Sequence, residues 1–469
     1  MESLQIDEPL TPAGRMFLQP EMSQIIHAVA GVKNPFDVDA VKAAFADSLL
    51  VKHPRFSSLM VKDSNGRESW RRTEVNIDDH FVILPEPLTA DRSVSDEDAV
   101  NDYIADLAVS TPLPSDKPLW EFHFLLAHKC AVLRIHHALG DGISIVSLFL
   151  SCCRKTSDPS QPASVGDVGV GRRRRWGLRE LALVVCYTVV YVLEFILRSL
   201  WLKDKKTVLT GGAGVELWPR KLATAKFTIN DMKTVKKAVA DATINDVLFG
   251  VIACGLSRYL AIRPSKELKD GLQITGLAMV NLRPQPGLQD MTKLMNSGKS
   301  STGWGNKFGF VLLPVYYFHK ASNDSLQFVK RAKSMIDKKK LSLEALCSYK
   351  IGDFVMSFLG VKLASMLNYR ILCNTTFLIT NVIGPQEQIS IAGNPIMYIR
   401  SCTSSLPHAI AIYMVSYDGK AYLQILVAKD IIPDPKVLAR CFEDALMAMK
   451  KQAEMNNPHH IDPCEQKTS

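Results

Sequence analysis

One uncharged stretch near the middle of this chain constrains how the rest can fold. Residues 181–193 carry no charged side chain, and apolar character resumes through Trp201 and Leu202. A helix over residues 181–202 would be about 33 Å long, enough to cross the hydrocarbon core of a bilayer. Glu194 and Arg198 lie four residues apart and can pair on one helix face. The stretch therefore predicts a long apolar helix between two folded parts.

Basic residues flank this stretch. Between residues 151 and 206, eleven Lys or Arg side chains oppose five acidic ones, so this region holds most of the net charge of +9. A nucleic-acid-binding protein usually spreads basic residues over a folded face with aromatic side chains among them. Here they bracket an apolar run, at residues 172–175 and 203–206. We therefore expect a membrane surface as a partner and no nucleic acid.

Three arrangements of the apolar segment stay open. It can span the bilayer once, lie in the interface with its charged ends reaching toward water, or pack as a buried core helix. Cations stand on both of its flanks, so charge asymmetry does not orient it across a membrane.

The segments on either side predict a mixed α and β protein. Apolar periodicity predicts helices over residues 143–152 and 243–260. Residues 157–171, rich in Pro, Gly and Ser, predict a linker. Strands are predicted over residues 120–127, 131–135, 272–280, 308–317 and 377–382, with a hairpin turn over residues 417–420.

These elements divide the chain into four parts. The predicted division is an N-terminal domain (1–156), a basic linker (157–214) with an apolar helix at about 176–202, a C-terminal domain (215–455) and a tail (456–469). Ten scattered cysteines form no Cys-x-x-Cys pair, so reduced thiols are expected and no zinc site is predicted.

The sequence His136-His137-Ala138-Leu139-Gly140-Asp141-Gly142 follows an apolar strand and precedes a helix. Because consecutive strand residues face opposite sides, only one imidazole can point into a given cavity. A histidine with a pKa near 6.5 suits the removal of a proton from a hydroxyl group. Asp141 can fix the turn through backbone bonds or pair with a cation. A structural pair of core histidines and a metal site are the alternatives, although adjacent strand histidines do not converge on one ion.

This motif resembles the His-His-x-x-x-Asp-Gly signature of CoA-dependent acyltransferases, which include chloramphenicol acetyltransferase and peptide-synthetase condensation domains. Within that superfamily the chain is similar to plant wax ester synthase/diacylglycerol acyltransferases of the bifunctional type, over residues 8–449. Six further stretches carry the resemblance: His-Pro-Arg-Phe (53–56), Pro-Leu-Trp-Glu (118–121), Thr-Ile-Asn-Asp-Val-Leu (243–248), Val-Asn-Leu-Arg (280–283), Trp-Gly-Asn (304–306) and Thr-Asn-Val-Ile-Gly-Pro (380–385).

The resemblance implies an α+β fold (an α/β sandwich) of two chloramphenicol-acetyltransferase-like domains with a catalytic channel between them. It implies that His137 is the catalytic base, supported by His136, Asp141 and Gly142. The family motifs place further residues along the substrate channel: Trp120, Asn245, Asp246, Asn281, Arg283, Asn306, Thr380 and Asn381.

The activity implied is transfer of an acyl group from long-chain acyl-CoA to a fatty alcohol, with diacylglycerol as a second acceptor. Acyl-CoA is then a co-substrate, and neither a cofactor nor a metal is expected. The implied location is the endoplasmic reticulum membrane, with the plasma membrane as a second site. Because both halves would share one active site, a single span between them would separate them. An in-plane or re-entrant helix is therefore favoured.

Two other functions are weighed. A related acyltransferase acting on a specialised-metabolite alcohol or amine usually carries Asp-Phe-Gly-Trp-Gly, whereas residues 302–305 read only Thr-Gly-Trp-Gly. A lipid-binding relative without activity is disfavoured by the intact histidine motif. No Gly-x-Ser-x-Gly elbow is present, so direct transfer without an acyl-enzyme is the hypothesis.

Overall fold

The computed structural model describes residues 7–46, 48–64, 66–165, 177–263, 268–283, 304–318 and 324–456. The basic run at residues 172–175 and residues 457–469 of the predicted tail (456–469) lie outside these ranges, whereas residue 456 ends the last helix. The helices among the described residues are α1 (Pro12–Phe17), α2 (Val38–Ala46), α3 (Leu49–Lys52), α4 (Asp96–Ser110), α5 (Gly142–Ser151), α6 (Leu178–Leu200), α7 (Ile229–Lys237), α8 (Ile244–Ile262), α9 (Leu326–Lys340), α10 (Glu344–Phe354), α11 (Val361–Asn374) and α12 (Pro435–Asn456).

The strands are β1 (Glu8–Pro9), β2 (Ile25–Val32), β3 (Ser58–Lys62), β4 (Glu68–Arg72), β5 (Phe81–Leu84), β6 (Trp120–Leu125), β7 (Cys130–His136), β8 (Arg154–Lys155), β9 (Arg220–Thr228), β10 (Gln273–Asn281), β11 (Phe308–Tyr316), β12 (Phe377–Ile383), β13 (Ile389–Ile391), β14 (Asn394–Thr403), β15 (Ile410–Tyr417) and β16 (Lys420–Ala428). The mixed α/β architecture expected from the sequence is confirmed.

The N-terminal lobe is built on a seven-stranded sheet with the order β5-β6-β7-β2-β14-β13-β8. The predicted neighbours β6 and β7 are antiparallel. Helix α2 covers one face of the sheet, where the rings of Phe45 and Phe122 pack with centroids 4.6 Å apart. Strands β13 and β14 come from beyond residue 388 and join this sheet beside β2. The second half of the chain therefore contributes to the lobe that the sequence assigned to residues 1–156 alone.

The C-terminal lobe contains a six-stranded sheet with the order β11-β10-β12-β15-β16-β9. Helix α8 begins at a capping box in which the Thr243 hydroxyl accepts from the Asp246 N–H and the Asp246 carboxylate accepts from the Thr243 N–H. The predicted hairpin turn joins β15 to β16, with positive φ values of 48° at Asp418 and 71° at Gly419. One buried apolar cluster combines residues of both lobes, among them Ile135 and Leu378. The lobes are therefore docked through a shared core.

Helix α6 lies on the outside of the C-terminal lobe, against α10 and α11. Only Val184, Phe195, Arg198 and Ser199 of this helix are buried, whereas Val185, Val189 and Leu193 are each more than half exposed. Both α6 and α8 are long and apolar enough to cross a membrane, but α8 is mostly buried and serves as a core helix. For α6 the alternative of a buried core helix is wrong.

The C-terminal end of α6 is tied into the lobe through Arg198. Its guanidinium donates to Glu194 at 3.0 Å, as the spacing predicts, and to Asp204 at 3.0 Å. It also donates to the carbonyl of Asn374 at 3.1 Å and the hydroxyl of Thr275 at 2.9 Å. One face of α6 is thus fixed to the protein while the opposite apolar face points to the surroundings.

Candidate active site

The two adjacent histidines lie where β7 ends between two neighbouring strands. His136 pairs with Ile25 of β2, and the His137 N–H donates to the Gln24 carbonyl at 2.8 Å. The His136 ring accepts a hydrogen bond at Nδ1 from the Ala138 N–H at 3.2 Å, so its proton must reside on Nε2, which faces the Ser23 hydroxyl at 3.4 Å. Burial, with a smaller contribution from His137, lowers the pKa of His136 to about 4. His136 is therefore a neutral residue that holds the turn.

The tautomer of His137 is set by Asn306, which enters from the C-terminal lobe. The Asn306 side-chain N–H donates to the His137 carbonyl at 2.9 Å. Its Oδ1 is thereby turned toward the imidazole, 3.1 Å from Nδ1 of His137. Because an amide oxygen only accepts, Nδ1 must carry the proton, and Nε2 of the neutral ring is left with a free lone pair.

The His137 ring is held between aromatic side chains. Phe17 of α1 stacks on it with centroids 4.2 Å apart, and Phe308 of β11 meets it edge-on at 6.2 Å. Burial lowers the pKa of His137 below its ordinary 6.5, while the charge of Asp141 and the hydrogen bond to Asn306 oppose this shift. The ring is therefore neutral at pH 7, which is the protonation state that a general base requires.

Asp141 joins the two lobes rather than orienting the histidine directly. Its Oδ1 accepts from the Ser144 N–H at 3.1 Å, which caps α5. Its Oδ2 accepts from Arg283 at 2.7 Å and from the Lys307 N–H at 3.0 Å. Both roles considered from the sequence, fixing the turn and pairing with a cation, are thus filled by one carboxylate.

Arg283 extends this junction. Besides Asp141, its guanidinium donates to the Asn281 side-chain oxygen at 3.1 Å, the Ser144 hydroxyl at 3.2 Å and the Gly305 carbonyl. A second link is formed by Trp304, whose indole N–H donates to the Leu139 carbonyl at 2.8 Å. The turn after β7 is therefore held by residues 281–283 and 304–307 of the opposite lobe.

A cavity of about 170 Å³ lies between the lobes beside His137. Most of its lining is apolar, with Met279, Phe310 and Leu378 among the contributing side chains. The predicted site residues that line it are His137, Asp141, Gly142, Asn281, Thr380 and Asn381. At its edge the Asn381 side chain donates to the exposed Asn245 at 2.8 Å. The expected position of the site, between the two lobes, agrees with this arrangement.

Five residues expected along the channel do not line this cavity, namely Trp120, Asn245, Asp246, Arg283 and Asn306. Trp120 and Asp246 are packed away in the interior. The Trp120 side chain is fully buried, stacks on His80 at 3.8 Å and donates to the Phe56 carbonyl. Asp246 is also fully buried, and its carboxylate accepts from the N–H and hydroxyl groups of Thr243. Trp120 packs the core of the N-terminal lobe, and Asp246 caps α8. The prediction for these two residues was wrong because family motifs contain structural residues as well as residues that line a site.

The aromatic residues around His137 were not found from the sequence. Phe17 lies 120 residues before His137 on a short helix, and nothing in its local pattern indicates contact with the motif. Phe308 opens a predicted strand, and its proximity to the Trp-Gly-Asn stretch is the one signal that points to it.

The arrangement suits acid–base chemistry on a hydroxyl group. Within the described ranges, no group of three or more His, Cys, Asp or Glu side chains is placed to hold a metal ion. The first N–H groups of a helix lack intrahelical partners, and Gly142 and Ile143 bring that end of α5 to the cavity wall. His137 and the first residues of α5 therefore line the same, mostly apolar space.

Solved structures share this two-lobed fold. A wax ester synthase/diacylglycerol acyltransferase from Marinobacter aquaeolei VT8 superposes with a TM-score of 0.58 at 15% identity, covering 95% of this chain and 99% of that one. The first condensation domain of the calcium-dependent antibiotic synthetase superposes with a TM-score of 0.57 at 13% identity, covering 96% and 97%. The chain therefore has the fold shared by these acyltransferase and condensation-domain structures, two chloramphenicol-acetyltransferase-like lobes.

Sequence comparison identifies the family. The wax ester synthase/diacylglycerol acyltransferase catalytic domain matches residues 22–248, and the WS/DGAT C-terminal domain matches residues 304–450. Wax ester synthase/diacylglycerol acyltransferase 5 of Arabidopsis thaliana is 35% identical, covering 95% of this chain and 93% of that protein. Wax ester synthase/diacylglycerol acyltransferase 11 of the same plant is 34% identical, covering 95% of this chain and 95% of that protein. The chain belongs to the wax ester synthase/diacylglycerol acyltransferase family and is an O-acyltransferase.

Proposed function

We propose that this protein transfers a long-chain acyl group from acyl-CoA to a long-chain fatty alcohol, with diacylglycerol as a second acceptor. The proposal rests on one observation about His137: its Nδ1 is bound to Asn306, which leaves Nε2 as the basic nitrogen, and the residue lines a mostly apolar cavity. A long-chain alcohol has one hydroxyl to deprotonate and otherwise needs only apolar surroundings.

In the proposed reaction, Nε2 of His137 takes the proton from the alcohol as its oxygen attacks the thioester carbonyl. The tetrahedral intermediate carries a negative oxygen, for which the N-terminus of α5 and the hydroxyl of Thr380 in the cavity wall are candidate donors. Collapse breaks the carbon–sulfur bond, and the CoA thiolate recovers the proton from the imidazolium. General-base catalysis of this kind contributes about 10²–10⁴-fold to the rate.

The direct test uses the expressed protein with labelled palmitoyl-CoA and either hexadecanol or diacylglycerol. We expect labelled wax ester, with triacylglycerol from the second acceptor, and we expect His137→Ala to abolish both while its thermal midpoint stays near that of the wild type. Ester formation only with an unrelated alcohol or an amine would favour the specialised-metabolite alternative. A covalent acyl-enzyme trapped by rapid quenching would contradict direct transfer.

We also propose that the protein docks on a membrane through the outer face of α6, and that this membrane is the endoplasmic reticulum, with the plasma membrane as a second location. The exposed side chains of Val185, Val189 and Leu193 support this, as do three exposed lysines after the helix, Lys203, Lys205 and Lys206. Anionic lipid headgroups attract such cations. The buried bonds of Arg198 to the C-terminal lobe favour a helix lying along the surface over one that crosses the bilayer.

Vesicle flotation tests the docking face. We expect Val189→Asp combined with Leu193→Asp to reduce binding to anionic vesicles, whereas Met447→Asp, which alters an exposed apolar residue on α12, leaves it unchanged. Protease protection in sealed microsomes checks the orientation. Protection of the His137 half and cleavage of the C-terminal half would show a crossing helix, and a fluorescent fusion would report which membrane is used.

A further inference from the structure

Two phenylalanines differ from all the others in this chain. The sequence has 19 phenylalanines, and every one of them lies among the described residues. Only Phe354 and Phe358 are exposed, at 56% and 74%, and the adjacent Leu359 is 58% exposed. The three side chains belong to residues 354–360, where α10 ends and α11 begins, and we name this segment the aromatic turn. A cluster of large exposed apolar side chains indicates a surface that contacts an apolar partner.

The inner side of the aromatic turn is fixed to the protein. Val355–Leu359 forms a single π-helical turn after α10, a geometry that often occurs at functional sites. Met356 and Val361 pack against the core cluster that both lobes share. On the outer side, the rings of Phe354 and Phe358 contact each other with centroids 4.8 Å apart. The two rings therefore form one apolar surface on an anchored segment.

Helix α6 holds the other ends of α10 and α11. At the start of α10, the Leu343 N–H donates to the Thr188 hydroxyl at 2.9 Å. At the end of α11, the Asn374 side chain donates to the Arg198 carbonyl at 2.6 Å. The aromatic turn joins the two remaining ends of the helix pair. It thus lies on the same helical layer as α6 but belongs to a different segment of the chain.

The aromatic turn projects into open space. A Cβ added at Gly352, just before it, or at Gly360, its last residue, would meet no atom within 4 Å. Gly360 has a φ of 92°, a backbone conformation that favours glycine and that ends the π-helical turn abruptly. The two phenyl rings are therefore at the tip of a protruding turn and not in the wall of a groove.

Positive charges surround this tip. Lys350 precedes the aromatic turn and Lys362 follows it, and both are exposed, as is Arg370 further along α11. Asp353 is the single acidic residue between residues 345 and 374. Anionic lipid headgroups attract cations in this position, next to apolar side chains that enter the bilayer.

A bilayer suits the aromatic turn better than a second copy of the chain does. A stable protein interface buries about 800 Å² on each partner. At about 150–250 Å² for a whole aromatic side chain, three partly exposed side chains offer less than this area. A bilayer needs no such minimum area, and aromatic rings are favoured at its interface. Helices α10 and α11 also pack against α6, whose exposed apolar face adjoins them.

We propose that the aromatic turn inserts the rings of Phe354 and Phe358 into the membrane as a second anchor beside α6. The inference rests on the membrane docking proposed for α6 and adds a contact made by a different segment. The aromatic turn contacts α1, the helix whose Phe17 stacks on His137. Because two anchors restrict how the molecule can rotate on the surface, the side that carries α1 is held toward the bilayer.

Site-specific crosslinking tests the second anchor. Phe358 of the full chain is replaced by p-benzoylphenylalanine, and the protein is irradiated with vesicles of phosphatidylcholine and phosphatidylserine that carry radiolabelled acyl chains. We expect labelled lipid on the protein from position 358, and only background labelling from the same replacement of Met447, which is exposed on α12. Labelling at the Met447 level, or a crosslink from position 358 to a second copy of the chain, would overturn the proposal.

Removing the rings measures what they contribute to binding. We expect Phe354→Ser combined with Phe358→Ser to lower the partition coefficient for these vesicles by about tenfold, because two rings lose their apolar contacts. The matched control is Ile262→Ser combined with Met447→Ser, which alters two exposed apolar residues on α8 and α12 and should leave binding unchanged. The thermal midpoint of each variant should stay near that of the wild type, since the altered side chains are exposed. Equal partition of the wild type and the Phe354/Phe358 variant would contradict insertion.

A third crosslinking position separates this anchor from α6 and from the enzymatic activity. Val189, exposed on α6, is replaced by p-benzoylphenylalanine in the same way. Labelling from Val189 but not from Phe358 would overturn the second anchor and leave the docking of α6 intact. Labelling from Phe358 supports the second anchor whether or not Val189 is labelled. Neither readout depends on ester formation, so failure of the proposed reaction would leave this result unchanged.

Discussion

The two lobes cover a sheet with helices in the same manner, but they fill the space between differently. In the C-terminal lobe, Leu423 and Ile425 of β16 and Phe442 of α12 are all fully buried. In the N-terminal lobe, Ala28 and Ala30 of the central strand remain half-buried beside an open space. The contrast teaches that packing differs locally: the C-terminal sandwich is filled around Phe442, whereas the N-terminal sandwich leaves space beside Ala28 and Ala30.

The largest effect is expected on the free energy of unfolding when one phenyl ring is removed from each lobe and the two losses are compared. Phe442→Ala should lower the free energy of unfolding by about 3–5 kcal/mol, because it opens a void in a filled core. Phe149→Ala should cost less than half as much, since that ring already borders the open space in the N-terminal lobe. Chemical denaturation of both variants measures the difference. Equal losses would show that the N-terminal lobe is as solidly packed as its partner.

A smaller effect is expected at the junction between the lobes. Asp141→Asn keeps the shape of the side chain but leaves the buried guanidinium of Arg283 without its counter-charge, at a cost of about 2 kcal/mol. Asp98→Asn is the matched control, because Asp98 pairs with Lys436 of the other lobe at an exposed position worth about 0–1 kcal/mol. Thermal unfolding compares them, and similar shifts would contradict a structural role for the buried pair.

The smallest expected effect is a shift in pH dependence. Because burial lowers the pKa of His137, ester formation in the wild type should persist at pH 6.5 and fall only at more acidic pH, where the ring becomes protonated. Asn306→Asp places a negative charge beside the ring and stabilises its protonated form, so the acidic limb should move up by about 1 pH unit. The profile of kcat/KM against pH measures this. An unchanged limb would mean that another group controls the reaction.

Local patterns were sufficient to predict most of the elements around the site. The apolar strands β6 and β7, the helix α5 and the turn at Asp418 and Gly419 were all predicted from the sequence, and the structure confirms them. The signals for these elements lie within short segments. Apolar and polar residues alternate in strands, apolar residues recur at helical spacing in helices, and glycine occupies a turn position with positive φ.

The contacts between distant segments were not predictable in the same way. Nothing local indicates that β14 pairs with β2, or that Phe17 stacks on His137. The fully buried positions of Trp120 and Asp246 likewise depend on what packs around them. Alanine has a weak strand propensity, and that is all its presence in a strand indicates. Whether such alanines border a filled or an open space is decided by the helix that packs over them.

The sequence by itself determined the class of chemistry, the fold class and the apolar character of α6, because these depend on residue types and their spacing. Tertiary structure alone decided which histidine has a free nitrogen, since that follows from Asn306, 169 residues away. It also decided that the apolar face of α6 is exposed and that a cavity lies beside Ala28 and Ala30 of β2. Burial and hydrogen bonding between distant residues are properties of the packed chain, and no local pattern contains them.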